Sequence, residues 1–218
     1  MTRIGRTALA ALAALTTVQV AKAQLPGIPY YPVNTGLGIN VAADYGKPTG
    51  SGATGHSWGV TGGLGLSNLG LSASFGGADA GAGSQTTLGG ALGMKLFGGG
   101  LTPVQIGAQV GVGHVGAPAG GSAITTFEPA AWVKVSPPLF PLKPFGQVYY
   151  VTGTCGTGCS FNNETRVSIG ANFNLLLGLG VHAAYDFSTK SGGAKGWGVG
   201  AHMNFRVPSL GVPGVPGI

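Results

Sequence analysis

Two cysteines with three residues between them, in Cys155-Gly156-Thr157-Gly158-Cys159, are the most specific local feature of this 218-residue sequence. In an exported protein such a pair favours a disulfide stapling a loop tip. A metal centre is the sharper alternative, but two thiolates with no neighbouring histidine or third cysteine are too few ligands. The four histidines are His56, His114, His182 and His202. His182 and His202 fall on the polar side of neighbouring strand-like runs, and Asp44 and Asp186 share that side nearer one rim. A Ser/His/Asp hydrolase would use such groups. Serines and threonines occur throughout, however, and none sits in a distinctive nucleophile motif. The expectation is a hydrogen-bonded polar interior without catalysis. The remaining charges on that side are mixed, with Glu128 against Lys95, Lys134, Arg166 and Arg206. In a narrow enclosure they should pair, because an isolated buried charge is costly. Runs such as Gly62-Gly63-Leu64-Gly65 open no helix, so no nucleotide site and no cofactor are expected.

What must position these groups is a series of strands. Trp197, Val199, Ala201, Met203 and Phe205 alternate with Gly198, Gly200, His202 and Asn204, giving one apolar and one polar face over about ten residues. The same alternation recurs from Leu37 to Tyr45, Trp58 to Leu66, Leu69 to Phe75, Leu88 to Leu96, Val104 to Val112, Val167 to Phe173 and Leu179 to Phe187. The run from Phe127 to Val135 carries the blemish Pro129, and residues 145–152 are ambiguous in phase. The total is about ten strands, or eight if those last two are mis-parsed. Residues 47–56, 77–85, 115–123, 153–163 and 188–196 read as longer, small-residue loops. Ser67-Asn68, Phe97–Pro103, Ser136–Pro144 and Asn174–Gly178 read as tighter turns. Aromatics cluster at both strand ends: Tyr45, Trp58, Phe75, Phe187 and Trp197 beside the long loops, and Phe97, Phe145, Phe173 and Phe205 at the other end. Two such rings are what membrane–water interfaces select.

The compartment is set by the N-terminus. Arg3 and Arg6, an apolar stretch from Ala8 to Val20 and the small-x-small Ala21-Lys22-Ala23 make residues 1–23 a secretory signal peptide. The formal charge of +6 then falls to +3, eight basic residues against five acidic, too weak and scattered for nucleic acid. Only 7% of residues are charged and mean hydropathy is +0.33, against about 25% charged residues in soluble domains. No later apolar run reaches the roughly 18 residues of a spanning helix. An exported, apolar chain without such a helix fits a closed barrel, since only helices and barrels satisfy their backbone in lipid. The expected fold class is therefore all-β, a transmembrane antiparallel up-and-down β-barrel. It would comprise a Pro-rich periplasmic lead at 24–34, a barrel at 35–207 and a Pro/Gly-rich tail at 208–218.

Over residues 34–207 this pattern resembles the small bacterial outer-membrane β-barrel superfamily, of the OmpA/OmpW-like kind. Gly200, Met203 and Phe205 match that superfamily's assembly signal: glycine, two residues, a hydrophobic, one residue, an aromatic. Gly198 stands where a polar residue is usual, and the chain continues past the aromatic from Arg206 to Ile218. The resemblance implies the cell outer membrane, lipid and lipopolysaccharide as surroundings, and insertion by the barrel-assembly machinery. The function expected is a structural or narrow porin-like barrel for small solutes. An outer-membrane enzyme acting on lipid or lipopolysaccharide, and a secreted soluble β-sandwich or adhesin, are the alternatives.

Overall fold

The computed structural model describes residues 28–49, 55–79, 84–99, 102–117, 122–137, 140–156 and 160–205. Within them lie ten strands: β1 Gly38–Thr49, β2 His56–Leu66, β3 Leu69–Asp79, β4 Ser84–Gly99, β5 Thr102–Val115, β6 Ile124–Val135, β7 Leu142–Cys155, β8 Glu164–Asn174, β9 Leu179–Ser188 and β10 Lys195–Phe205. Each pairs antiparallel with its sequence neighbours. β1 also pairs with β10, from Ile39 opposite Phe205 to Thr49 opposite Lys195, so the sheet closes on itself. The ten-stranded count holds, and the eight-stranded alternative fails because β6 and β7 are both full members of the ladder.

Both β1's start and β10's end lie at one rim, called here the near end. The far end carries the connections between β2 and β1, β3 and β4, β5 and β6, β7 and β8, and β9 and β10. Near-end turns are tight. Between Leu66 and Leu69 only Ser67 and Asn68 intervene, and Ser67 takes φ 64°, the positive φ that two-residue hairpins require. Two irregularities have local causes. Leu96 is skipped between the pairs Lys95–Gly107 and Phe97–Ile106, a bulge that turns both Leu96 and Phe97 outward. Pairing between β6 and β7 lapses from Phe127–Thr152 to Ala130–Tyr149, around Pro129, which has no N–H to donate.

The distribution of side chains is the reverse of a water-soluble domain. The outward face exposes Leu64, Leu92, Val110, Val148, Ile169 and Val181 among many others. The buried set includes Ser57, Thr87, Gln109, Thr126, Glu128, Gln147, Ser168, His182, Asp186 and His202. A continuous apolar exterior far exceeds the patch a soluble monomer tolerates. On the outside near the far end, Phe75 and Trp58 rings meet at 5.9 Å, Tyr45 and Trp197 at 6.0 Å, and Tyr185 and Phe187 at 6.1 Å. These pairs lie on five adjacent strands, β3, β2, β1, β10 and β9.

The Pro-rich composition of the segment before β1 predicts a lead lying on the periplasmic side. Its described part instead runs inside the barrel, with Ile28, Tyr30, Val33 and Thr35 buried. The tube has an interior wide enough for an extended chain only because one wall lacks side chains. Lumen-facing positions of β10 and β1 to β5 are dominated by glycine, alanine, serine and threonine. A Cβ at Gly198 would strike Pro29, at Gly93 Val33, at Gly70 Asn34 and at Gly65 Gly36. Those glycines trace the seat of the lead, which descends from the far half of the lumen to the near rim.

Candidate functional site

The lumen is the one place where the polar residues singled out from the sequence converge. Its small-residue wall holds the lead. Its opposite wall, β6 to β9, carries the large side chains: Glu128, Trp132 and Lys134 from β6; Lys143, Phe145, Gln147, Tyr149 and Val151 from β7; Arg166 from β8; His182 and Asp186 from β9. The lead is clamped between the walls. Gln109 of β5 accepts from the Val33 N–H at 2.8 Å and donates through Nε2 to the Tyr31 carbonyl at 3.3 Å. One buried amide thus satisfies two backbone groups of a segment with no sheet partner, as buried backbone requires. Tyr30 packs edge-on against Tyr149 at 5.1 Å, in a small cluster with Val151. Tyr31 meets Phe145 at 5.8 Å and His182 at 4.6 Å.

Above this constriction, towards the far end, charges pair as expected. Arg166 Nη2 lies 2.6 Å from Asp186 Oδ2, and its Nε lies 3.6 Å from Glu164 Oε1. Tyr149 donates its hydroxyl to Asp186 Oδ1 at 2.7 Å, and the guanidinium lies 5.9 Å from the Tyr149 ring. Thr126 donates to Glu128 Oε1 at 2.9 Å. At mid-height His182 Nε2 lies 2.6 Å from Asp44 Oδ1, and His182 Nδ1 lies 3.0 Å from His202 Nδ1. This chain crosses from β9 to β1 directly over β10. The crossing needs Gly200, because a Cβ there would meet both His182 Nε2 and Asp44 Oδ1. Nearer the rim Asn40 Nδ2 donates to Asn204 Oδ1 at 2.9 Å across the β1–β10 seam.

A cavity of about 720 Å³ runs along the lead, from Ile28 and Pro29 past Asp44, His182 and His202, to the near end. Lys134, Lys143, Gln105, Asn172, Asn174 and Asn204 line its near-end part.

Most predicted site residues thus lie where the alternation put them. Tyr45, Trp58, Phe75, Phe97, Phe173, Trp197 and Phe205 face outward, and Phe187 is half-buried. Phe145 does not belong to an aromatic ring at the rim. It is buried in the lumen under Tyr31, because it shares the inward parity of β7 with Gln147, Tyr149 and Val151 and packs the lead. Among the other histidines, His114 Nδ1 lies 3.2 Å from Thr125 Oγ1 at an exposed far-end pair, and the His56 ring stacks on Tyr45 at 5.8 Å. Cys155 ends β7; Cys159 and Arg206 fall outside the described residues. Among the described residues no group of three His, Cys, Asp or Glu side chains could hold a metal.

Sequence reasoning missed Tyr30, Tyr31, Val33, Gln109, Tyr149 and Lys143. A signal for the lead existed: Ile28-Pro29-Tyr30-Tyr31-Pro32-Val33 is uncharged and largely apolar, which a solvated tail would not be.

No protein family matches the sequence, and no curated protein is similar to it. Solved structures with a similar fold are bacterial outer-membrane barrels. They include outer-membrane expressed OmpT of Vibrio cholerae, with 16% identity over 79% of this chain and 63% of that one, at a TM-score of 0.38. The N-terminal β-barrel domain of Pseudomonas aeruginosa OprF has 13% identity over 78% of this chain and 99% of that one, at 0.38. The translocator domain of autotransporter NalP from Neisseria meningitidis has 15% identity over 79% of this chain and 89% of that one, at 0.38. This chain spans less than two thirds of the OmpT length. At these scores the likeness adds no weight to the barrel, which rests on the closed strand pairing itself.

Proposed function

We propose that this chain is an exported outer-membrane β-barrel protein, of the small OmpA/OmpW-like kind, whose lumen is a narrow path for small solutes closed by its own lead. The observation that carries the membrane reading is the inverted side-chain distribution: a closed sheet with an apolar exterior and a polar, hydrogen-bonded interior. Water would leave that exterior unburied, whereas hydrocarbon solvates it. A soluble β-sandwich would need a second sheet against the apolar face, and none exists among the described residues. Signal peptide 1–23, outer-membrane location, contact with lipid and lipopolysaccharide, and recognition of Gly200, Met203 and Phe205 by the assembly machinery belong to the same proposal.

The porin-like part rests on the near-end cavity, which narrows onto a segment held by few bonds. The role is non-catalytic in this reading. Both ring nitrogens of His182 are engaged, by Asp44 and His202, which makes the trio a brace across the seam. The loop cysteines, Cys155 and Cys159, are proposed to form a disulfide that tethers the far-end loop.

Planar-bilayer conductance of the refolded full chain, beside a variant lacking residues 28–36, tests the reading. The full chain should give small, flickering openings and the deletion a larger, steady conductance. Silence from both, in samples that migrate as folded barrels, would overturn the channel reading and leave a structural barrel.

A further inference from the structure

The lumen sorts its charges along its axis. Asp186 and Glu164 pair with Arg166 in the far half. Glu128 bonds Thr126 there, and Asp44 pairs with His182 at mid-height. Asp79 ends β3 at the far rim. Three lysines stand at the near end: Lys95 late in β4, Lys134 late in β6 and Lys143 early in β7. They are close enough for their charges to interact. Among the described residues none of the three has a carboxylate within salt-bridge distance; Lys134 has instead the Trp132 ring, 5.7 Å from its Nζ.

We propose that the near-end cavity is a binding site for a small oxyanion-bearing solute, one with phosphate or several carboxylate groups, held by Lys134 and Lys143 with Lys95 adding to the field. Like charges gathered between low-dielectric walls are unfavourable until an anion neutralises them, and such walls focus the field into the opening. The geometry supplies the rest. The cavity of about 720 Å³ falls within the ~300–1,000 Å³ of small-molecule sites. Beside the two ammonium groups stand the amides of Gln105, Asn172 and Asn174, each able to donate two N–H bonds to an oxyanion. Lysine serves such a ligand as a point charge that tolerates either phosphate or carboxylate. Among the described residues that line the cavity the one carboxylate is Asp44, and it is already engaged by His182.

The same chemistry could come from a dissolved solute or from a lipid headgroup reaching around the near rim, and the experiment separates them. It does not depend on conduction, so it stands or falls apart from the channel reading. Full-length protein is refolded in an uncharged maltoside detergent at low ionic strength. It is titrated calorimetrically with citrate, with inorganic phosphate and with micelles doped with phosphatidylglycerol. Citrate should bind saturably, and Lys134→Gln or Lys143→Gln should each weaken it about tenfold or more. Lys47→Gln and Lys195→Gln, at the far end, should leave it unchanged, and added salt should weaken it. Lysine-dependent binding of doped micelles but not of citrate or phosphate would assign the site to a headgroup and overturn the solute reading. Absence of saturable binding, or equal loss from near-end and far-end variants, would overturn the site altogether. Should a near-end variant fail to fold, chemical labelling of wild-type lysines decides. Citrate should protect Lys134 and Lys143 but not Lys47 and Lys195; equal labelling with and without citrate would refute the proposal.

Discussion

Gly200 shows how much one absent side chain can control. Its missing Cβ lets His182 reach Asp44 over β10. Gly200→Ala should part that pair and leave two polar groups facing each other unbonded. A charge-assisted bond of this kind contributes ~1.5–3 kcal/mol, so urea should unfold the variant earlier by about that amount. The outward face obeys the opposite rule. Leu64, Leu92 and Val181 are exposed mid-strand, and arginine at any of them should cost ~2–4 kcal/mol in bilayer stability, less towards the rims. Unfolding of Leu92→Arg in lipid vesicles checks this; a variant as stable as wild type would mean that the lipid face lies elsewhere. Alternation made these assignments legible because a period of two admits only two phases. It failed at Phe145, where the inner face carries large rings as well. Residue hydrophobicity separates lipid from water, but it does not separate lipid from a packed segment of the same chain.

At the scale of the element, the lead and the glycine wall are one structural unit written in two stretches of sequence. The ladder was legible locally, strand by strand. The contacts of Val33 with Gly93 and of Asn34 with Gly70 link distant positions, and nothing periodic announces them. The abundance of glycine on one parity was visible, but its reason, room for a chain, appears only when the strands close. Gly70→Val should therefore evict the lead without opening the barrel. The expected readout is faster proteolysis of residues 28–36 and raised conductance, with unchanged migration of the unboiled protein. The far-end loop with Cys155 and Cys159 is a lesser device. A ring so short gains ~2 kcal/mol at most from chain entropy. Cys155→Ser with Cys159→Ser should still insert, with only the proteolytic sensitivity of residues 156–163 increased. Thiol labelling of untreated protein tests the bond; two freely reacting thiols would refute it.

The whole molecule is held by its closed ladder rather than by a core. Every described strand has two hydrogen-bonded neighbours, so no edge is left where unfolding could begin cheaply in lipid. Boiled and unboiled samples should migrate differently on denaturing gels, because a closed barrel resists detergent until heated. Equal migration together with solubility in the absence of detergent would overturn the membrane reading.

The lead is joined covalently to β1 at Gly38, and that has a consequence for how closure responds to concentration. A stopper on a short tether is an intramolecular ligand: it meets its seat at an effective concentration of ~mM, whatever the protein concentration. Its grip can accordingly be weak, a glutamine clamp and a few ring contacts, and still keep the lumen filled. Occlusion should be insensitive to dilution, and a synthetic peptide of residues 28–36 should reblock the deletion variant only when supplied at ~mM levels. A weak tethered stopper also releases quickly, so in the channel reading proposed above each opening should be brief.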